Sequence, residues 1–374
     1  MTKRLLIILC ALALLTGCWD ERQFKNVKLV LTMGFDEGED GKIIETVSIP
    51  TINRATEGQA EEQVQILSTE ANTPLEARDF TDQSISESFD PGKLRVVVIG
   101  EELAKNNIYS VLDEFYRNPS NNLNAHLAIA KGRASDVLSY QNKNISDTRI
   151  SEYISGLLEG AEASSHTTGE NIQLICAELF EPGEDFSLPL LEVDEEKQLI
   201  KFAGMGLFHG NHYSGIDIPV GQATMYLMLQ GYKGKSAHLT KKVSDKFEDE
   251  RYNYVTVNVI KYKRKVDIKA EGDTVSTDIN LKLRVRVVEY PADHLEKKST
   301  IDELDKKLSE TLTKDAEEII GLMQEANSDI WGIGRQVRAY HPKVYEKLDW
   351  KETFPNMKIT PKVDVEIVQH GIIY

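Results

Sequence analysis

Two hydrophobic periods follow one another in the last third of the chain, and together they limit its fold more than any other feature. Leu281, Leu283, Val285 and Val287 alternate with Lys282, Arg284 and Arg286. A period of two belongs to a strand with one buried and one solvated face, here a basic one. Val255, Val257 and Val259 repeat the period, and Glu271-Gly272-Asp273 supplies a turn between the two runs, so an antiparallel pair is expected. From Ile301 the spacing changes: Leu304, Leu308, Leu312, Ala316, Ile319 and Met323 lie three or four apart. That is the apolar stripe of a long amphipathic helix, which packs on a sheet far more often than in a coiled coil. Thr300 and Glu303 have the spacing of a capping box at its start. Glu303/Lys307 and Glu310/Lys314 are acid-before-base pairs four residues apart. A further helix is expected over 335–348 and a last strand over 358–369.

The first half carries weaker signals. Runs at 27–36 and 43–50 read as a hairpin, 53–63 as a polar loop, and Thr73-Pro74-Leu75-Glu76 as a capped helix start running to about 88. The unbroken apolar run over 94–99 predicts a strand buried on both faces. Helices are expected over 101–117, 133–140 and 148–164, with a short strand over 127–130. The acidic stretch 192–198 suggests a division, giving regions 18–197 and 198–374. The fold class expected is α+β: two substantial lobes with mixed or antiparallel sheets packed by helices, leaving room for a small third subdomain between them.

Lys3 and Arg4 precede an apolar run over 5–15, too short to span a bilayer and of the right length for a signal peptide. Leu15-Thr16-Gly17-Cys18 then resembles a bacterial lipobox, which implies cleavage after residue 17 and a diacylglycerol on Cys18. Two acyl chains hold a protein to a membrane by burial of their methylenes. Loss of Lys3 and Arg4 would take the net charge from −16 to −18. Such a balance argues against nonspecific nucleic-acid binding, and against peripheral docking on anionic lipid by charge alone. With Cys10 removed and Cys18 acylated, Cys176 is left without an internal disulfide partner, and its apolar helical surroundings suggest a buried, inert thiol. The run over 223–229 is expected to be a buried strand or short helix.

Catalytic signals are poor: no nucleophile elbow, phosphate loop or zinc-binding His-Glu-x-x-His is present. His209 and His212, three apart on Gly-containing backbone, read as exposed loop histidines rather than a metal pair, and Gly204-Met205-Gly206 as a strand feature. Arg335, Arg338, His341 and Lys343, near Trp331 and Tyr340, read as a solvated helix face rather than an anion site. No catalytic residue, metal or cofactor is expected.

Cys18-Trp19-Asp20-Glu21-Arg22 after a lipobox resembles the start of the Ger(x)C family, the C subunits of nutrient germinant receptors in endospore formers. Other segments resemble that family in the same order: Gly34-Phe35-Asp36, the run over 96–104, Arg117-Asn118-Pro119, Gly204-Met205-Gly206-Leu207-Phe208, Asp329-Ile330-Trp331-Gly332-Ile333-Gly334, Pro342 and Trp350. Two departures are Asn118 where an acidic residue usually follows Arg117, and Trp331 in place of Phe. The resemblance implies a non-enzymatic lipoprotein on the outer face of the spore inner membrane, assembled with two integral-membrane subunits and needed for the response to nutrients. A solute-binding lipoprotein of an importer, and more remotely a wall hydrolase, are the other readings.

Overall fold

The computed structural model describes residues 27–53, 61–140 and 150–371. Cys18 and the leader lie outside them. Among the described residues the strands form an eight-stranded sheet, a four-stranded sheet and a short two-stranded one.

The large sheet is mixed. Its centre is parallel: β2 (Thr32–Glu37), β6 (Val96–Gly100), β7 (His126–Ala130) and β8 (Ser187–Asp194) run side by side. Antiparallel hairpins extend both edges. β3 (Ile43–Asn53) and β4 (Glu61–Ala71) add to β2, while β9 (Leu199–His209) and β10 (His212–Pro219) add to β8. The apolar run read from sequence is β6, and its two faces feed different cores. Val97 and Ile99 join the cluster that includes Phe35, Phe115 and Phe186; Val96 and Val98 pack with Ala134, Leu138 and Ile154. Burial on both sides is why the run is continuous rather than alternating.

Around this sheet lie α1 (Pro74–Asp82), α2 (Glu101–Asn106), α3 (Tyr109–Arg117), α4 (Ala134–Ser139), α5 (Ile150–Ala163) and α6 (Ile172–Leu179). Thr73 caps α1 as expected, its hydroxyl accepting from Glu76 N at 3.2 Å. Glu76 reaches back to Asn72 N at 2.7 Å instead of to the cap residue. The helix stops at Asp82 rather than near 88, because β5 (Ser88–Asp90) pairs in parallel with β1 (Val27–Leu29). The single helix expected over 101–117 is two: Asn107 leaves helical backbone, and its carbonyl and side chain accept from Ser110 and Tyr109.

The second lobe follows the expected plan. After α7 (Val220–Gln230), whose residues 223–229 are buried, come β11 (His238–Lys242), β12 (Tyr254–Glu271) and β13 (Thr274–Glu289). The last two form the long hairpin around Gly272. α8 (Lys298–Glu325) lays Leu304, Leu308, Leu312, Ala316, Ile319 and Met323 into the sheet's core. It begins two residues before Thr300, so that residue makes no cap, and Lys307 pairs with Glu310 rather than Glu303. Short helices α9 (Ile333–Tyr340), α10 (Pro342–Tyr345) and α11 (Trp350–Thr353) replace the expected helix over 335–348. β14 (Lys358–Gln369) then joins β13 in parallel. The expected division at 197/198 falls in the β8–β9 hairpin, so β9 and β10 complete the first lobe's sheet while Met205, Leu207 and Ile218 face the second lobe's core.

Candidate functional site

Two buried aspartates tie distant parts of this chain together. Asp36 ends β2 and is 3% exposed. Its carboxylate accepts from Ala134 N at 2.6 Å and Ser135 N at 2.9 Å, capping α4 across the sheet. Unpaired N–H groups at a helix start are stabilised by such an acceptor. The sheet leaves little room there: a Cβ on Gly100 would lie 2.1 Å from Asp36 Oδ1.

Asp329 does the same for α9. It is 1% exposed, and its carboxylate accepts from Ile333 N at 3.0 Å, Gly334 N at 2.7 Å and the Trp350 indole at 3.1 Å. Burial pushes its pKa up to about 7, although those three donors pull the other way. Its backbone forms the seam between lobes. Asp185 N donates to Asp329 O at 3.0 Å, and Asp329 N donates to Asp185 Oδ2 at 2.8 Å. The other oxygen of Asp185 accepts from Gly210 N at 2.7 Å. Ser328 donates to the Phe208 carbonyl, and Arg335 N donates to Gly183 O at 2.7 Å. Gly183, at φ +82°, and Gly334 let the two backbones meet: a Cβ on Gly334 would lie 2.5 Å from the Trp350 ring.

An open cleft of about 650 Å³ borders this joint, lined by Glu178, Glu181, Phe186, His209, Tyr345 and Trp350 among others. Burial with Glu184 and Glu170 nearby pushes Glu178 up to about 7. In the basic cluster read as a solvated helix face, Arg335 and Lys343 are exposed as expected, but two of the four members are paired. Arg335 pairs with Glu184 at 2.7 Å and Arg338 with Glu181, while Tyr340 is 79% exposed. The carboxylates lie some 150 residues upstream, so a local reading missed them. His209 is half-buried rather than exposed: Nδ1 donates to Asn327 O at 2.7 Å, and the Asp185 carboxylate raises its pKa. His212 is exposed as expected. Cys176 is half-exposed, not buried, because it sits at the edge of α6 beside the exposed Leu174 and Ala177. Among the described residues no His, Cys, Asp or Glu group is placed to hold a metal ion, and no helix is long and apolar enough to cross a membrane. Gly204 and Gly206 lie within β9.

Both aspartates belong to the segments singled out by resemblance. The family described as "Spore germination protein N-terminal domain" matches residues 20–193, and "Spore germination B3/ GerAC like, C-terminal" matches 203–371. The chain belongs to the Ger(x)C family of spore germination proteins. Relatives in Bacillus subtilis (strain 168) include YfkR, 21% identical over 98% of this chain and 96% of that protein. Spore germination protein A3 is 20% identical over 99% of this chain and 98% of its own length. The crystal structure of the GerBC protein covers 90% of this chain and 96% of its own, at 18% identity and a TM-score of 0.54, which establishes a shared fold. In this Ger(x)C protein the segments singled out by resemblance do architectural work: Asp36 of Gly34-Phe35-Asp36, close against Gly100, caps α4, and Asp329–Gly334 with Trp350 locks the lobes.

Proposed function

We propose that this chain is the lipid-anchored, non-enzymatic C subunit of a spore nutrient germinant receptor. It would lie on the outer face of the spore inner membrane and assemble with two integral-membrane subunits. One observation carries the reading: the family match starts at residue 20, directly behind Cys18 of the lipobox, and continues through both lobes. Cys18 is the site of acylation in this reading, and residues 1–17 are the leader. The matched spans favour sequence modules 18–197 and 198–374, even though one sheet runs across their border.

The mechanism is tethering plus a rigid relay. A lipid anchor confines the globule beside membrane partners, and effective concentration then strengthens weak contacts by orders of magnitude. The Asp185–Asp329 joint hydrogen-bonds the two lobes together, and in this reading a partner gripping either lobe positions the other. The test is Cys18→Ala: the protein is expected in the soluble fraction, with spores losing their nutrient response. Full response with the unacylated protein present would overturn the anchoring claim. The importer reading predicts instead a ligand closed between two lobes. The hydrogen-bonded seam between Asp185, Gly210 and Asp329 opposes that opening and closing.

A further inference from the structure

On a chain of net charge −16, the outer face of the four-stranded sheet gathers more positive than negative charge. In the β12–β13 register Lys261 stands opposite Arg284, Lys263 opposite Lys282, and Arg286 opposite Asn258. Directly opposed residues of an antiparallel pair share a face, so like charges here repel one another across the strands. Lys261, Lys263, Lys282, Arg284 and Arg286 are all exposed. Arg284 has a partner in Glu366 of β14 at 3.1 Å. Among the described residues Lys261, Lys263, Lys282 and Arg286 have no ion pair. Asp364, beside Lys282 in the β13–β14 register, is engaged by Lys362, and further along the sheet charges are matched, as in Lys265 with Asp267 and Lys269 with Asp278. The mismatch is therefore local.

Apolar side chains flank it. Tyr254 and Val288 alternate with the buried Val255 and Val287, so they share the outer face, and they are 39% and 53% exposed. Ile260, the extra residue at the bulge between Val259 and Lys261, is 46% exposed. A broad sheet face with repelling cations and a rim of Tyr, Ile and Val suits a planar, negatively charged, partly apolar surface. Anionic headgroups would neutralise the opposed lysines while the rim meets the acyl boundary.

We propose that this face docks on an anionic phospholipid bilayer and sets the orientation of the tethered globule. The proposal deepens the membrane-attached reading above, but its test needs no acyl group. The chain from residue 19 onward, which contains every element of the described fold, is mixed with vesicles of phosphatidylglycerol and phosphatidylcholine in equal parts, and with phosphatidylcholine alone. Sedimentation with the anionic vesicles only, weakening as salt rises, is the expected result. Lys261→Glu with Lys282→Glu should weaken it at least about tenfold, with an unchanged circular dichroism spectrum. Charge reversal at the exposed Lys347 should leave it unaltered. No binding to anionic vesicles, equal binding to both, or indifference to the double reversal would overturn the proposal; the first would turn attention to an acidic protein partner. Cys18 plays no part in this experiment, so its outcome is separable from that of the anchor.

Discussion

Glu45 is a carboxyl group held where no hydrogen-bond donor reaches it. It is 1% exposed on β3, and neither oxygen has a partner. The nearby Arg78 is committed to Glu114 at 3.0 Å and Asn121 at 3.0 Å. Burial pushes Glu45 up to about 8 despite the attraction of Arg78. Its folded pKa thus lies above the ordinary 4.5. The stability it lends is complete below about 4.5, falls steadily between about 4.5 and about 8 as the unfolded chain alone gives up its proton, and is gone above 8. The slope for one proton is about 1.4 kcal/mol per pH unit. Glu45→Gln should flatten that decline, and denaturant midpoints taken at intervals from about pH 5 to about pH 8 would show it; parallel curves for both proteins would contradict it. Asp329 makes a second residue-scale case. Asp329→Asn turns an acceptor toward one backbone N–H and an amide donor toward another, so a loss of about 1–3 kcal/mol is expected on unfolding. An unchanged midpoint would mean that the cap is dispensable. Neither residue was legible beforehand. Glu45 is one of 60 acids in the sequence, and Asp329 showed only as part of a family motif.

α8 shows what a sequence does and does not reveal about an element. Its apolar stripe, spaced three and four, was readable and is buried as expected. A second stripe on the same helix was overlooked. Asp305, Ser309 and Thr313, each four apart, accept from Ile367 N, Val365 N and Val363 N at 2.8, 2.9 and 3.1 Å. Four helical residues advance about 6 Å and two strand residues about 6.6 Å, so the two ladders match. The helix thereby covers the free edge of β14, which would otherwise offer N–H groups to another chain. The overlooked signal was a small-polar residue every fourth position beside an apolar stripe. Ser309→Ala should cost about 1 kcal/mol, and Leu308→Ala about 2–5 kcal/mol, measured by chemical denaturation. β4 escaped notice for another reason. Glu62, Gln63, Gln65 and Glu70 make it polar, as suits an edge strand, and polarity reads as loop. Part of the expected 53–63 loop is in fact strand, while 54–60 lie outside the described residues.

For the whole molecule, class and lobes were readable because they depend on periodicity, which is local. The joint was not, because Asp185 and Asp329 are 144 residues apart. The strand order that completes the first sheet with β9 and β10 was hidden for another reason: the acidic turn between β8 and β9 reads as a boundary although it joins a hairpin. Disrupting the joint should uncouple the lobes. Gly334→Val, which drives a side chain into Trp350, is expected to turn one cooperative unfolding transition into two by calorimetry; a single unshifted transition would contradict a locked joint. The central claim, that this protein serves a nutrient receptor, is tested most directly on spores. In a strain lacking other members of the family, spores with and without this gene are challenged with nutrients and with a non-nutrient trigger that bypasses receptors. The account predicts a nutrient response only where the gene is present, and an intact bypass response in both. Equal nutrient responses with and without the gene, or loss of the bypass response on deletion, would contradict it.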